Sequence, residues 1–233
     1  MLTLKVCQTV PNGVLLFLPS YRLMENLVNR WQNTGLYNEL QSKKVVITEP
    51  KYADEFEAAY RHFYETIKTT TKYPSNGVDG ALFIAIFRGK VSEGMDFADN
   101  NARAVICVGI PFPGFKDPKV NLKKEYNDER RETNKNFLSG HEWYEIEAFR
   151  ALNQALGRCI RHRNDWGAIL MVDQRYGCNP RYVNSLSKWV RNDVRHFNNC
   201  KNALFQLNNF CQGMSERDEK LKEEMAKSIN QAT

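Results

Sequence analysis

The sequence has 233 residues, 42% of them hydrophobic, which suits one large folded domain or one domain with appendages. Lysine and arginine number 33 against 27 acidic residues, a formal net charge of +6 that fits an anionic partner such as DNA or RNA without establishing one. The apolar runs fall well short of the roughly 18 residues a membrane span requires. No basic flank leads into a long apolar stretch at the N-terminus, so a soluble intracellular chain without a signal peptide is expected.

Several short apolar runs are bounded by turn residues: Val14–Leu18, Val45–Ile47, Ala81–Phe87, Ala104–Ile110 and Ala168–Val172. Their length and lack of alternation predict strands buried on both faces, as in a parallel sheet, although a buried helix competes for any single run. After the first run, Ser20 is placed to cap a helix carrying Leu23, Leu27 and Trp31 at helical spacing. After the second, Phe56, Tyr60, Phe63 and Ile67 form another apolar stripe. Strand–helix alternation of this kind predicts a layered α/β domain with right-handed crossovers. Lys116–His141 is dense in charge and reads as a solvated helix with its connection. Ser215–Thr233 is strongly charged and is expected to be a frayed helix or a disordered tail, which sets the domain at residues 1–212 and the tail at 213–233. Cys7, Cys107, Cys159, Cys178, Cys200 and Cys211 show neither CxxC nor zinc-site spacing, so reduced thiols and no metal are expected.

The most informative stretch is WYEIEAFRALNQALGRCIRHRNDWG, from Trp143 to Gly167. Taken as one helix, it puts Gln154, Arg158 and Arg161 within an arc of roughly 60°, opposite Phe149, Leu152, Leu156 and Ile160. Gly157 leaves the backbone open beside Arg158. Two planar cationic forks and an amide are what a phosphoryl-transfer site uses to neutralise a γ-phosphate and orient water. The ordinary alternative is a solvated basic helix face. A second stretch, ALFIAIFRGKVSEGMDF, sets Arg88, Lys90, Ser92, Glu93, Gly94 and Asp96 after a buried strand, where open α/β sheets place ligands. A third, GVLLFLPSY, delivers Ser20 and Tyr21 at the end of an apolar strand. The sequence contains no GxxxxGK[ST] loop to cradle phosphates and no Asp-Glu pair after an apolar strand. Arginines suited to a γ-phosphate without the loop that holds a nucleotide imply a domain that completes a site built by another.

These residues resemble a known family. GVLLFLPSY is similar to motif IV, RGKVSEGMDF to motif V and QALGRCIR to motif VI of the superfamily 2 helicases related to xeroderma pigmentosum group D. The three stand in the family's order, and the resemblance covers roughly residues 1–212. GIPFPGFKDP, the Trp143–Gly167 run and LSKWVR look most like the Fanconi anaemia group J branch, with the telomere-length-regulator and chromosome-loss branches as near neighbours. The resemblance implies a RecA-like fold and a second motor domain of a nuclear, ATP-dependent 5′-to-3′ DNA helicase of DNA repair. It implies ATP with Mg²⁺ shared with a first motor domain, and a 4Fe-4S cluster only in that other half. Implied partners are single-stranded or forked DNA, the first motor domain of the same protein and DNA-repair proteins. By motif match Arg158, Arg161 and Gln154 would be catalytic. Glu93, Gly94, Asp96 and Gly157 would line the ATP site, while Ser20, Tyr21, Arg88, Lys90 and Ser92 would face the DNA or couple it to the cleft. A non-enzymatic RecA-like module that binds nucleic acid or protein is the alternative reading.

Overall fold

A computed structural model describes residues 2–73, 77–94 and 97–232. In chain order the elements are α1 (Leu2–Thr9), β1 (Val14–Leu18), α2 (Tyr21–Asn33), α3 (Leu36–Gln41), β2 (Val45–Thr48), α4 (Ala53–Lys72), β3 (Ala81–Ile86), α5 (Lys90–Gly94), a 3₁₀ turn (Asp99–Asn101) and β4 (Ala104–Val108). There follow α6 (Pro118–Thr133), α7 (Gly140–Leu156), β5 (Ala168–Val172), α8 (Arg175–Cys178), α9 (Pro180–Asn184), α10 (Lys188–Arg191) and α11 (Cys200–Ala232).

The five strands form one sheet in the order β2-β3-β1-β4-β5, all parallel. β1 lies at the centre, Val14 being in register with Leu82 on one side and Ala104 on the other. Helices cover both faces. Leu15, Phe17, Phe83 and Val105 point into a core shared with Phe56, Phe63 and Ile67 of α4 and Phe149, Leu152 and Leu156 of α7. Val14, Leu16, Ile84 and Ile106 point the other way, toward α1, α2, α3 and Leu207 and Cys211 of α11. Burial on both faces is why these runs are continuously apolar. The expected α/β fold with a parallel sheet is thus observed, and all five predicted strands are present. β4 stops at Val108 because Gly109 turns the chain with φ +78°.

Two helical expectations need correction. On α2 it is Met24, not Leu23, that meets the sheet: Met24 is 5% exposed and Leu23 40%. Trp31, buried, and Leu27 and Val28, partly buried, complete the stripe. The helix through Trp143 does not reach Arg161. It ends at Leu156 with Gly157 as its cap, and Ile160 is 39% exposed. Beyond Gly157 the amides of Arg158 and Cys159 turn to the carbonyls of Ala155 and Leu156, and the Arg161 amide is taken by the Asp165 carboxylate at 3.0 Å. The charged segment from Ser215 continues α11 without a break at residue 212.

Candidate functional site

In a parallel sheet the side chains that act on ligands collect off the carboxyl ends of the strands, where connections leave in opposite directions. Here β1 leads toward the β2 edge and β4 toward the β5 edge, which puts the switch point between the carboxyl ends of β1 and β4.

At the end of β1, Ser20 is exposed and its hydroxyl caps α2 by accepting from the Leu23 amide at 3.2 Å. Tyr21 is half-buried and donates its hydroxyl to the Pro50 carbonyl at 3.3 Å, which links the ends of β1 and β2. At the end of β2, Glu49 is buried, and its carboxylate accepts from the amides of Ile86 (2.9 Å) and Lys90 (3.0 Å). It therefore clamps the turn between β3 and α5. Burial pushes its pKa up, an effect these backbone donors oppose. Gly89 is required beneath it, because a Cβ there would lie 2.5 Å from a Glu49 oxygen.

At the end of β3, Arg88 takes a left-handed backbone (φ +62°), and its guanidinium donates to the carbonyls of Pro111 (3.2 Å) and Glu147 (2.9 Å). Lys90 is exposed, with its ammonium 5.2 Å from the centre of the Phe56 ring. Ser92 is fully buried and its hydroxyl donates to the Gly89 carbonyl at 2.8 Å, so it stands inside the turn and not on the surface. Glu93 and Gly94 close α5, and Asp96 lies outside the described residues.

After α7, Arg158 is half-buried, and its Nε and Nη2 donate to the Ser92 carbonyl at 3.1 and 2.7 Å. The two stretches singled out in the sequence are thereby joined through a fork on one oxygen. Gln154 and Arg161 are exposed at the end of α7 and in the loop after it, with Gly157 between them. That loop is held by two residues the sequence reading passed over. Asp165 is buried opposite the buried Arg103, at 2.9 Å, and Arg103 also stacks 4.4 Å from the Trp166 ring. Besides Arg103, the Asp165 carboxylate accepts from the amides of Trp166, Arg161 and Asp99. For Asp165 the available signal was an Asp beside Trp166, and for Glu49 a lone carboxylate after the run Val45–Ile47; burial was not visible in either.

Asp99, His162 and Asp165 bring one possible ligand atom each within 4.8 Å of one another. The four N–H donors already use the acceptor sites of Asp165, and Arg103 sets a positive charge against it, so the donor set suits a brace more than a cation. Cys7, Cys107, Cys159 and Cys211 are buried, which pushes their thiols up, and Cys178 and Cys200 are exposed; among the described residues no group of possible metal ligands contains a cysteine.

Fold and site together define an α/β domain whose candidate site residues collect at the carboxyl edge of a parallel sheet. The chain belongs to the helicase C-terminal domain family, whose model matches residues 3–193. It is 51% identical over 214 residues, 91% of its length, to the Fanconi anemia group J protein homolog of Gallus gallus, of which it covers 17%. It is 48% identical over 191 residues, 82% of its length, to the regulator of telomere elongation helicase 1 homolog of Drosophila grimshawi, of which it covers 18%. The chain thus spans under a fifth of the length of these curated relatives. An apo structure of XPD shares its fold with TM-score 0.51 at 21% identity, over 78% of this chain and 32% of that one.

Proposed function

We propose that this chain is the second motor domain of an ATP-dependent DNA helicase that moves 5′ to 3′ on single-stranded DNA in nuclear DNA repair. The observation that carries the reading is the Arg158 fork on the Ser92 carbonyl. It makes the loop that would meet ATP and the turn that would meet DNA one mechanical piece. ATP, with its magnesium ion, would be presented by a first motor domain facing the carboxyl edge. Arg161 and Arg158 would then neutralise charge on the γ-phosphate, and Gln154 would orient the attacking water. Glu93, Gly94, Asp96 and Gly157 would line the same cleft. Ser20, Tyr21, Arg88 and Lys90 would face the DNA strand. Ser92 would transmit, because its hydroxyl is used inside the turn and its carbonyl holds Arg158. Any 4Fe-4S cluster would belong to the first domain.

The test uses the two-domain protein that contains this chain. Arg161→Ala and Arg161→Lys should keep folding and nucleotide binding while DNA-stimulated hydrolysis falls a hundredfold or more, about 3 kcal/mol in barrier height. The 233-residue chain by itself should not turn over ATP. Near-normal turnover by Arg161→Ala, or steady hydrolysis by the lone chain, would favour a different chemistry or a non-enzymatic module.

A further inference from the structure

The α6–α7 hairpin carries no residue of the three motif stretches until the end of α7, yet it builds a groove of about 350 Å³ beside the end of β3. Arg88 forms one wall, Lys119 and Lys123 of α6 another, and Trp143 and Glu147 of α7 a third. Lys119 and Lys123 are exposed and stand one turn apart on one face of α6, with the Lys123 ammonium 4.9 Å from the centre of the Tyr126 ring, so two like charges line this wall. The guanidinium of Arg88 is fixed by two carbonyls, which makes it a stationary positive wall. The acid of the groove, Glu147, is paired with Arg150 at 2.7 Å. The neighbouring ring Tyr144 is stacked on Phe112, at 5.3 Å between centres, while Trp143 is half-buried and lines the groove itself. A wide indole flanked by cations is the pairing that holds single strands: bases stack on the ring and phosphates sit on the charges.

We infer that this groove holds one nucleotide of single-stranded DNA, with its base on Trp143 and its phosphates on Lys119 and Lys123. The inference rests on the reading that this domain contacts single-stranded DNA. It extends the track from the strand ends onto the α6–α7 hairpin.

The experiment measures binding of the 233-residue chain to a labelled oligothymidylate, and to an abasic oligonucleotide of equal length, across a salt series. Trp143→Ala should weaken oligothymidylate binding about tenfold and leave abasic binding nearly unchanged, while Trp143→Phe retains much of the affinity. Lys119→Gln with Lys123→Gln should weaken both ligands and flatten the salt dependence by about 1.4 units of log–log slope. Thermal melts show whether each variant folds; if Trp143→Ala does not, Trp143→Phe and photo-crosslinking of thymine to Trp143 in the unaltered chain decide. Oligothymidylate binding that ignores Trp143 and the two lysines but falls with Lys90→Ala would overturn the groove and leave the proposed function standing. No oligothymidylate binding even at low salt would instead remove the DNA contact on which both rest. Displacement of oligothymidylate by polyglutamate as effectively as by abasic DNA, with no effect of Trp143→Ala, would mean a mere basic patch and also overturn the inference.

Discussion

Asp165 shows how a single carboxylate can settle the course of a loop. Its side chain is fully buried, paired with Arg103 and bonded to three backbone amides around the Arg161 segment. Removing one member of such a pair leaves a buried charge uncompensated, so Asp165→Ala should cost about 3–5 kcal/mol by urea unfolding. Arg103→Met combined with Asp165→Leu should recover part of that loss. A double variant no better than the single one would mean that the amide contacts, and not the ion pair, dominate. Arg158 follows the same logic on a smaller scale. A solvated arginine would cost within about half a kcal/mol to remove. Because its fork is half-buried on the Ser92 carbonyl, Arg158→Ala should cost about 1–2 kcal/mol instead.

At the scale of elements, α7 has a defined start and an abrupt end. Ser139 and Glu142 form a capping box: the Ser139 hydroxyl accepts from the Glu142 amide, and the Glu142 carboxylate accepts from the Ser139 amide. Those bonds from Ser139, followed by Arg131, hold the Glu142 carboxyl down at about 2 from an ordinary 4.5. A depressed folded-state pKa contributes stability above the unfolded value, and that contribution disappears as pH falls through the folded one. The stability gap between the unaltered chain and Glu142→Gln should therefore be full above about pH 4.5 and close as pH drops toward 2. Urea midpoints of both proteins across that window provide the check, and a gap that stays constant would mean the box is not titrating. At its other end α7 stops where Cys159, fully buried, seats its sulfur 3.7 Å from the carbonyls of Ala102 and Ala168. Packing against the starts of β4 and β5 outcompetes another helical turn.

Across the whole molecule, α11 joins the two ends of the chain. Leu207 and Cys211 pack in the same core as Leu4, Val6 and Cys7 of α1. Further along, Asp218 accepts from the Trp166 indole nitrogen at 2.6 Å and Arg217 donates to the Asn164 carbonyl at 2.9 Å, which ties α11 to the loop that Asp165 organises. A chain cut after Gln212 should melt about 6–12 °C lower, since two hydrogen bonds to charged groups, about 1.5 kcal/mol each at these part-exposed positions, are lost from a domain of this size. A cut after Lys222 should melt close to the unaltered chain. Equal melting of both truncations would show that the contacts beyond Gln212 add nothing to the fold.

Strand positions, the parallel sheet and the stripe on α4 could all be read from the sequence, because burial on both faces and one-sided burial leave different periodicities in residue order. The three motif stretches were equally visible, since glycines and arginines at fixed spacing are local features. Tertiary structure alone decided which side of α2 meets the sheet, where Leu23 and Met24 are both plausible contacts and only one lies under β1 and β3. It also decided that Arg158 reaches across 66 residues to Ser92, that Arg161 leaves the helix, and that Glu49 and Asp165 are braces. Those outcomes depend on which backbone groups from distant segments arrive beside a given side chain, and local spacing carries no record of that.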